Sequence, residues 1–406
     1  MTLAIVLVNV ALYATAFQLQ RPIEPFLVQK LGADDREYGR LQSFFSLFQS
    51  LGSPIVGMTL DLVGARVMFV VVFLSSALSY FILANATTVG LLYLSKVPSV
   101  FQAGFLVAQA LVASTTQGND AARAAAFGRL TTAYTVGATL GPAVGGVFGA
   151  RGDYYLGAKC AVVASLLSAC LALLLQKDLG TSTSKKENNN GKNNGEEKKT
   201  LFSILRRVWP FLLAKTLTGV TNSALGATIP LVLRDLGFDE QKLGFGMSAT
   251  SISVAIVGAF CLGPLSSSLG TSLPSLSLFA KAFAVFALAL ATTQGSAMLC
   301  ATFVTVHAAT AHVLATALTT ATTGLVSPSE QGSLLGLEHG LFAVARIFGP
   351  TFGTSAFAAA GILPVALACA LADGLLAIAL PGLISTLKTR DTPGKSKHLS
   401  DEKKHA

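Results

Sequence analysis

Eight ionisable side chains stand inside long apolar stretches of this sequence: Arg21, Glu24, Lys96, Lys215, Lys281, Glu338, Arg346 and Asp373. Charge at such positions is costly, so each residue needs a partner or a water-filled cavity. A buried carboxylate can carry a proton, because burial raises its pKa toward working pH. A guanidinium or ammonium can hold an anionic group. Arg21 and Glu24 are three residues apart and share a helical face, so they either pair with each other or line a cavity. Lys215 and Arg346 have no acidic neighbour one turn away, which points both toward a cavity. Lys96 and Lys281 either do the same or snorkel toward an interface. Glu338 is the preferred proton-carrying carboxylate, while the adjacent His339 points in another direction. His307 and His312 lie on a Thr- and Ala-rich stretch, where a hydrogen-bonded packing role is the commoner one.

Five bases against three acids leave these stretches net basic. An anion or a proton-coupled zwitterion fits that balance as well as a cation does. Gln18, Gln20, Gln109, Asn222 and Gln294 could supply neutral hydrogen bonds to a small molecule. Phe17, Phe105, Phe211 and Phe342 could supply apolar walls. The five cysteines lie in apolar stretches without metal-ligand spacing and read as packing residues. No nucleophile–base pair, metal constellation or Walker-type motif stands out. Neither an enzyme, a metal site, a cofactor nor direct ATP drive is expected.

The elements that must position these residues are membrane spans. Of 406 residues, 52% are hydrophobic and 12% are charged, with a mean hydropathy of +0.62. A soluble domain carries about 25% charged residues. Twelve spans are predicted, at 3–28, 38–58, 67–86, 88–113, 128–150 and 155–176, then 207–233, 243–264, 274–293, 297–325, 333–358 and 362–386. They form an all-α membrane protein of two six-helix bundles, 1–176 and 207–387. Between them, 177–206 is polar and low in complexity and reads as a disordered cytosolic linker; 388–406 is a polar tail. Net charge is +9, concentrated in linker and tail, which suits lipid headgroups and not nucleic acid. Seventeen basic residues fall on the side of the termini and seven on the other, which places both termini in the cytosol. The sequence does not choose between the plasma membrane and an internal one.

The chain repeats itself. Pro25, Leu31, Gly32, Asp34 and Gly39 recur about 205 residues later as Pro230, Leu236, Gly237, Asp239 and Gly244. Gly128, Gly141, Pro142 and Gly145 recur as Gly336, Gly349, Pro350 and Gly353. Two equal halves of this kind suggest a duplicated transporter. Gly137, Gly141 and Gly145 fall at fours on one face, so another backbone can approach it closely, and Pro142 invites a bend. Recurrence of the pattern points to packing at the mobile interface between halves.

The stretch from Gly57 through Asp61 and Gly64 to Arg66 resembles the loop signature between helices two and three of the major facilitator superfamily. The run from Gly137 to Gly146 is similar to the helix-five signature of drug/proton antiporters in that superfamily. The resemblance covers nearly the whole chain. It departs at Leu62, where the signature has a basic residue. It departs again at Lys96, Ser99 and Val100, where helix four usually carries an Arg followed by a Gln-Gly pair.

The resemblance implies a proton-coupled antiporter of drug or organic-cation type, working by alternating access. It implies a gate in which Asp61 faces the start of helix eleven, with Arg66 nearby, and it supports basic residues at Lys215 and Arg346. A carboxylate at a helix N-terminus is stabilised by about 0.3–1 kcal/mol. Expected partners are a small-molecule substrate, protons and membrane lipid, with the chain a monomer. An uncoupled facilitator, an organic-anion transporter and a non-transporting scaffold or sensor are the alternatives.

Overall fold

The computed structural model describes residues 2–116, 120–176, 194–326 and 331–390. These form twelve spans in two bundles. The first half has span 1 (Thr2–Leu19 and Glu24–Lys30), spans 2 and 3 (Asp35–Ala84, divided at Gly64), span 4 (Val89–Lys96 and Gly104–Thr115), span 5 (Asp120–Ala150) and span 6 (Leu156–Ala172). The second half has span 7 (Asn194–Asp235), span 8 (Glu240–Ile256 and Leu262–Leu269), span 9 (Leu273–Thr293), span 10 (Ala297–Thr323), span 11 (Gln331–Ala360) and span 12 (Ile362–Arg390). Eight described segments are long and apolar enough to cross a membrane, and one of them, Glu240–Thr293, holds both span 8 and span 9. Spans 2 and 5 carry Gly, Ser and Thr where they pack closely, which lowers their hydropathy.

The duplicated motif builds the same corner twice. Gly32 and Gly237 take φ of 80° and 84°, a region open to glycine. Two residues on, Asp34 accepts a hydrogen bond from the Glu37 amide at 2.9 Å, and Asp239 from the Lys242 amide at 2.7 Å. Each aspartate thereby caps the next span.

Five boundaries differ from the sequence expectation. The loops expected between spans 2 and 3 and between spans 8 and 9 shrink to sharp joints at Gly64 (φ 80°) and Gly270 (φ 49°). Span 1 breaks between Leu19 and Glu24, around Pro22. Span 4 breaks after Lys96, where Pro98 sits in the short 3-10 turn Val97–Phe101. Span 7 starts at Asn194, inside the segment expected to be disordered linker. Its Glu, Lys and Leu residues are good helix formers. The rest of that linker, 177–193, and the tail from 391 lie outside the described residues.

Spans 5 and 11 lie where the halves meet, as the repeat suggests, but the glycines spaced by four pack within their own half. Gly137, Gly141 and Gly145 face Ala14, Gln18 and Leu19 of span 1, within their own half. Gly349 and Gly353 face Ser223 and Ala224 of span 7, again within one half. It is the opposite edge that reaches across. Span 5 meets span 8, with Gly244 against the Pro142 carbonyl; span 11 meets span 2, with Gly39 against the Pro350 carbonyl.

Candidate functional site

The described hydrogen bonds and ion pairs that join the halves lie at mid-span or on the side away from the termini. At that far end Arg234 donates to both Asp35 oxygens, at 2.9 and 3.0 Å. Tyr154, in the turn after span 5, donates to Glu240 at 2.6 Å. Burial, then that hydrogen bond, then the carboxylate charge push the Tyr154 phenol up to about 12. Nearer the middle, Ser43 and Thr351 hydroxyls lie 2.7 Å apart, and Ser248 donates to the Thr139 carbonyl at 2.6 Å. The molecule is thus sealed opposite its termini. Arg21, at the break of span 1, is exposed.

Three ionic groups lie within the spans. In the first half the break of span 1 turns Glu24 inward and the break of span 4 delivers Lys96 to it. Lys96 Nζ lies 2.5 Å from Glu24 Oε1, and Gln42 Nε2 donates to Glu24 Oε2 at 2.7 Å. Glu24 therefore pairs with Lys96 and not with Arg21, because the break between Leu19 and Glu24 removes the helical face the two would share. Lys96 does not snorkel. In the second half Lys215 Nζ lies 2.5 Å from Glu338 Oε1, which also accepts from the Thr322 hydroxyl at 2.8 Å. A carboxylate thus meets Lys215 from another span, where the sequence shows none within a turn.

Between these pairs lie Arg21 and Arg346. Arg346, half-buried on span 11, donates to Gln49 Oε1 of span 2 at 2.6 Å. Arg21 lies 5.5 Å from the Phe17 ring centroid. The two guanidiniums are near enough to repel each other. Among the described residues neither forms an ion pair. The arrangement leaves uncompensated positive charge where the halves meet, suited to an acceptor-rich group bridging them.

A fourth group was not legible as a unit. Lys281 of span 9 and Asp373 of span 12 lie 2.8 Å apart with side chains 0% and 1% exposed. Thr221 of span 7 accepts from Lys281 at 2.7 Å and donates to Asp373 at 3.2 Å. Lys281 is fully enclosed and does not snorkel. The sequence offered one signal, a charge deep in each of two apolar spans, but not that they meet.

The expected gate residues are partly described. Gly64 forms the joint, Arg66 is half-buried, and a Cβ at Gly57 would meet open space. The Asp61 side chain, and those of Gln331 to Ser333 at the start of span 11, lie outside the described residues. So does the His339 side chain. His307 is buried with Nδ1 unpartnered. Among the described residues no group of three His, Cys, Asp or Glu could hold a metal.

Known proteins carry the same architecture. The chain is 25% identical over 371 residues to solute carrier family 22 member 18 of Mus musculus, covering 87% of this chain and 88% of that one. It is 26% identical to the class C tetracycline resistance protein of Escherichia coli, covering 94% and 96%. Its fold matches the crystal structure of the human organic anion transporter MFSD10 (TETRAN) with a TM-score of 0.65 at 18% identity, over 93% of this chain and 98% of that one. The model of the Major Facilitator Superfamily matches residues 6–350 and 211–406. With twelve spans in two bundles and ionic pairs buried within them, the chain is a multi-pass membrane transporter that belongs to the Major Facilitator Superfamily.

Proposed function

We propose that this transporter moves small organic anions by alternating access. The observation that carries the reading is that Arg21 and Arg346, whose charges act on each other, are each without a carboxylate partner among the described residues. Among the described residues Glu24 and Glu338 each already hold a lysine, so neither is a free carboxylate for a cation. This favours the anion alternative over the drug or organic-cation antiport that the sequence led us to expect. The human protein similar in fold, MFSD10, is an organic anion transporter, which accords with it.

In this reading the termini face the cytosol, and the described conformation is open to that side. An anion entering there draws Arg21 and Arg346 together and lowers their mutual repulsion. The halves then rock about the bound anion, the far-side contacts part, and Asp61 joins the start of span 11 to close the cytosolic side. Glu24 and Glu338 are the groups through which protons couple to this cycle.

The test uses proteoliposomes containing the full chain, offered p-aminohippurate as an anion and tetraethylammonium as a cation, with and without a pH gradient. We expect p-aminohippurate uptake, at least tenfold weaker in Arg21→Gln and Arg346→Gln. Preference for tetraethylammonium, or wild-type anion affinity in both variants, would overturn the reading. Indifference to the pH gradient would leave an uncoupled facilitator.

A further inference from the structure

The sealed side carries a cleft of its own. It opens between the second segment of span 1, Glu24–Lys30, and the turn that joins spans 5 and 6. Phe26, Gln29, Lys30, Gly152 and Tyr154 line it, and its volume of about 450 Å³ has room for a small aromatic molecule.

Lys30 sets the chemistry of this cleft. Its ammonium lies 4.7 Å from the centroid of the Tyr154 ring and 6.0 Å from that of Tyr155. The faces of the two rings attract the charge but do not neutralise it. Among the described residues Lys30 forms no ion pair, and none of the lining residues is acidic. The carboxylates nearby are taken. Glu240 accepts from the Tyr154 hydroxyl at 2.6 Å. Asp153 accepts from the Tyr155 amide at 2.9 Å and lies 3.5 Å from the Lys159 ammonium. The Tyr155 hydroxyl is engaged too, donating to the Ala86 carbonyl at 2.7 Å. Both rings are thus pinned at their hydroxyls, and the faces under Lys30 are held in place before anything binds. The result is an uncompensated positive charge on an aromatic floor, with the Gln29 amide beside it. A flat molecule with one anionic head fits: the head meets Lys30, and the ring lies against Tyr154 and Phe26.

The cleft depends on the seal. Tyr154 is bonded to Glu240 of span 8. Phe26 packs against Leu233, Leu243, Leu288, Ala291 and Cys300, all of the second half. A Cβ at Gly149, just before the turn, would collide with the Glu240 side chain, so the halves touch directly behind the cleft. When the far side parts, Phe26 and Tyr154 lose that backing.

We propose that this cleft is a second anion site, which takes a soluble aromatic sulfonate or carboxylate from the far side and holds the transporter closed there. An occupant that binds the sealed form better shifts the balance toward it, and opening weakens its binding by the same factor. Such an occupant brakes the cycle from outside the transport path. The site does not depend on which solute passes between the halves; the brake rests on the alternating-access reading.

The test is calorimetric titration with 2-naphthalenesulfonate, using the full chain in phosphatidylcholine nanodiscs. The combined Arg21→Gln and Arg346→Gln variant serves as background, so that binding between the halves adds nothing to the signal. We expect saturable binding in it, weakened about tenfold by Lys30→Gln and about fivefold by Gly244→Ala, which parts the far side. In the Gly244→Ala chain spin-labelled at Arg36 and Lys242, the sulfonate should shorten the mean distance, and adding Lys30→Gln should abolish the shortening. Binding that Lys30→Gln leaves undiminished overturns the site. So does binding that vanishes in the background variant, an outcome that leaves the reading of the cargo as an anion intact. Equal affinity in Gly244→Ala, with no change in distance, overturns the brake. Displacement of the sulfonate by phosphatidylglycerol added to the nanodisc lipid would assign the cleft to headgroups and overturn the proposal as well.

Discussion

Gly244 of span 8 lies against the backbone carbonyl of Pro142 in span 5, with no room for a Cβ between them. The duplication gives this contact a twin: Gly39 of span 2 against the carbonyl of Pro350 in span 11. Gly39 and Gly244 are equivalent positions of one repeat, and Pro142 and Pro350 of the other. The two echoes in the sequence are therefore two sides of the same joint, used once in each direction across the seam.

A methyl group at Gly39 or Gly244 should disfavour the sealed far side. Overpacking against backbone costs about 1–3 kcal/mol. A difference of that size shifts a two-state balance about 5- to 150-fold. Spin labels at Arg36 and Lys242, both exposed, should report a longer mean distance in Gly244→Ala than in the wild type.

The Arg234–Asp35 pair should latch the same side more weakly. Its side chains are 12% and 24% exposed, which limits its worth to about 1 kcal/mol. Asp35→Asn should raise the far-side-open population about fivefold, less in high salt. The same spin-label pair reads it.

The Tyr154–Glu240 bond should hold across the physiological range. The phenol's ordinary pKa is 10.0 and here it is about 12. Its contribution is fully present below pH 10 and is lost as pH rises from there through 12. Far-side distances should not change between pH 6 and 9 on account of this contact, whereas Tyr154→Phe should lengthen them at every pH.

Removing one member of the Lys281–Asp373 pair should be far worse than removing both. Lys281→Met leaves a buried carboxylate unpaired, at a cost of about 3–5 kcal/mol. Replacing both by apolar residues, as in Lys281→Met with Asp373→Leu, should recover most of the lost melting temperature. Thermal unfolding followed by the single tryptophan, Trp209, measures both variants.

The fold was legible because its signals are local. The Leu-Gly-x-Asp corner at 31–34 and 236–239 needs only a glycine at positive φ and an aspartate within reach of one amide. The ionic partners were not legible, because helical spacing says which residues share a face and not which span lies opposite. Arg21 and Glu24 would share a face on an unbroken helix, yet a partner 72 residues away claims Glu24 once Pro22 and Pro98 interrupt their helices. Lys215 looked partnerless for the same reason, since Glu338 reaches it from another span. The joints at Gly64 and Gly270 were masked by composition: apolar residues continue on both sides of each.

The enclosed Lys281–Thr221–Asp373 cluster ties spans 7, 9 and 12 together, out of reach of solvent. Sliding any of these helices past its neighbours would expose a naked charge to hydrocarbon. Spans 7, 9 and 12 are therefore held to move as one block. The breaks of spans 1 and 4 in the first half, and of span 8 in the second, lie outside that block.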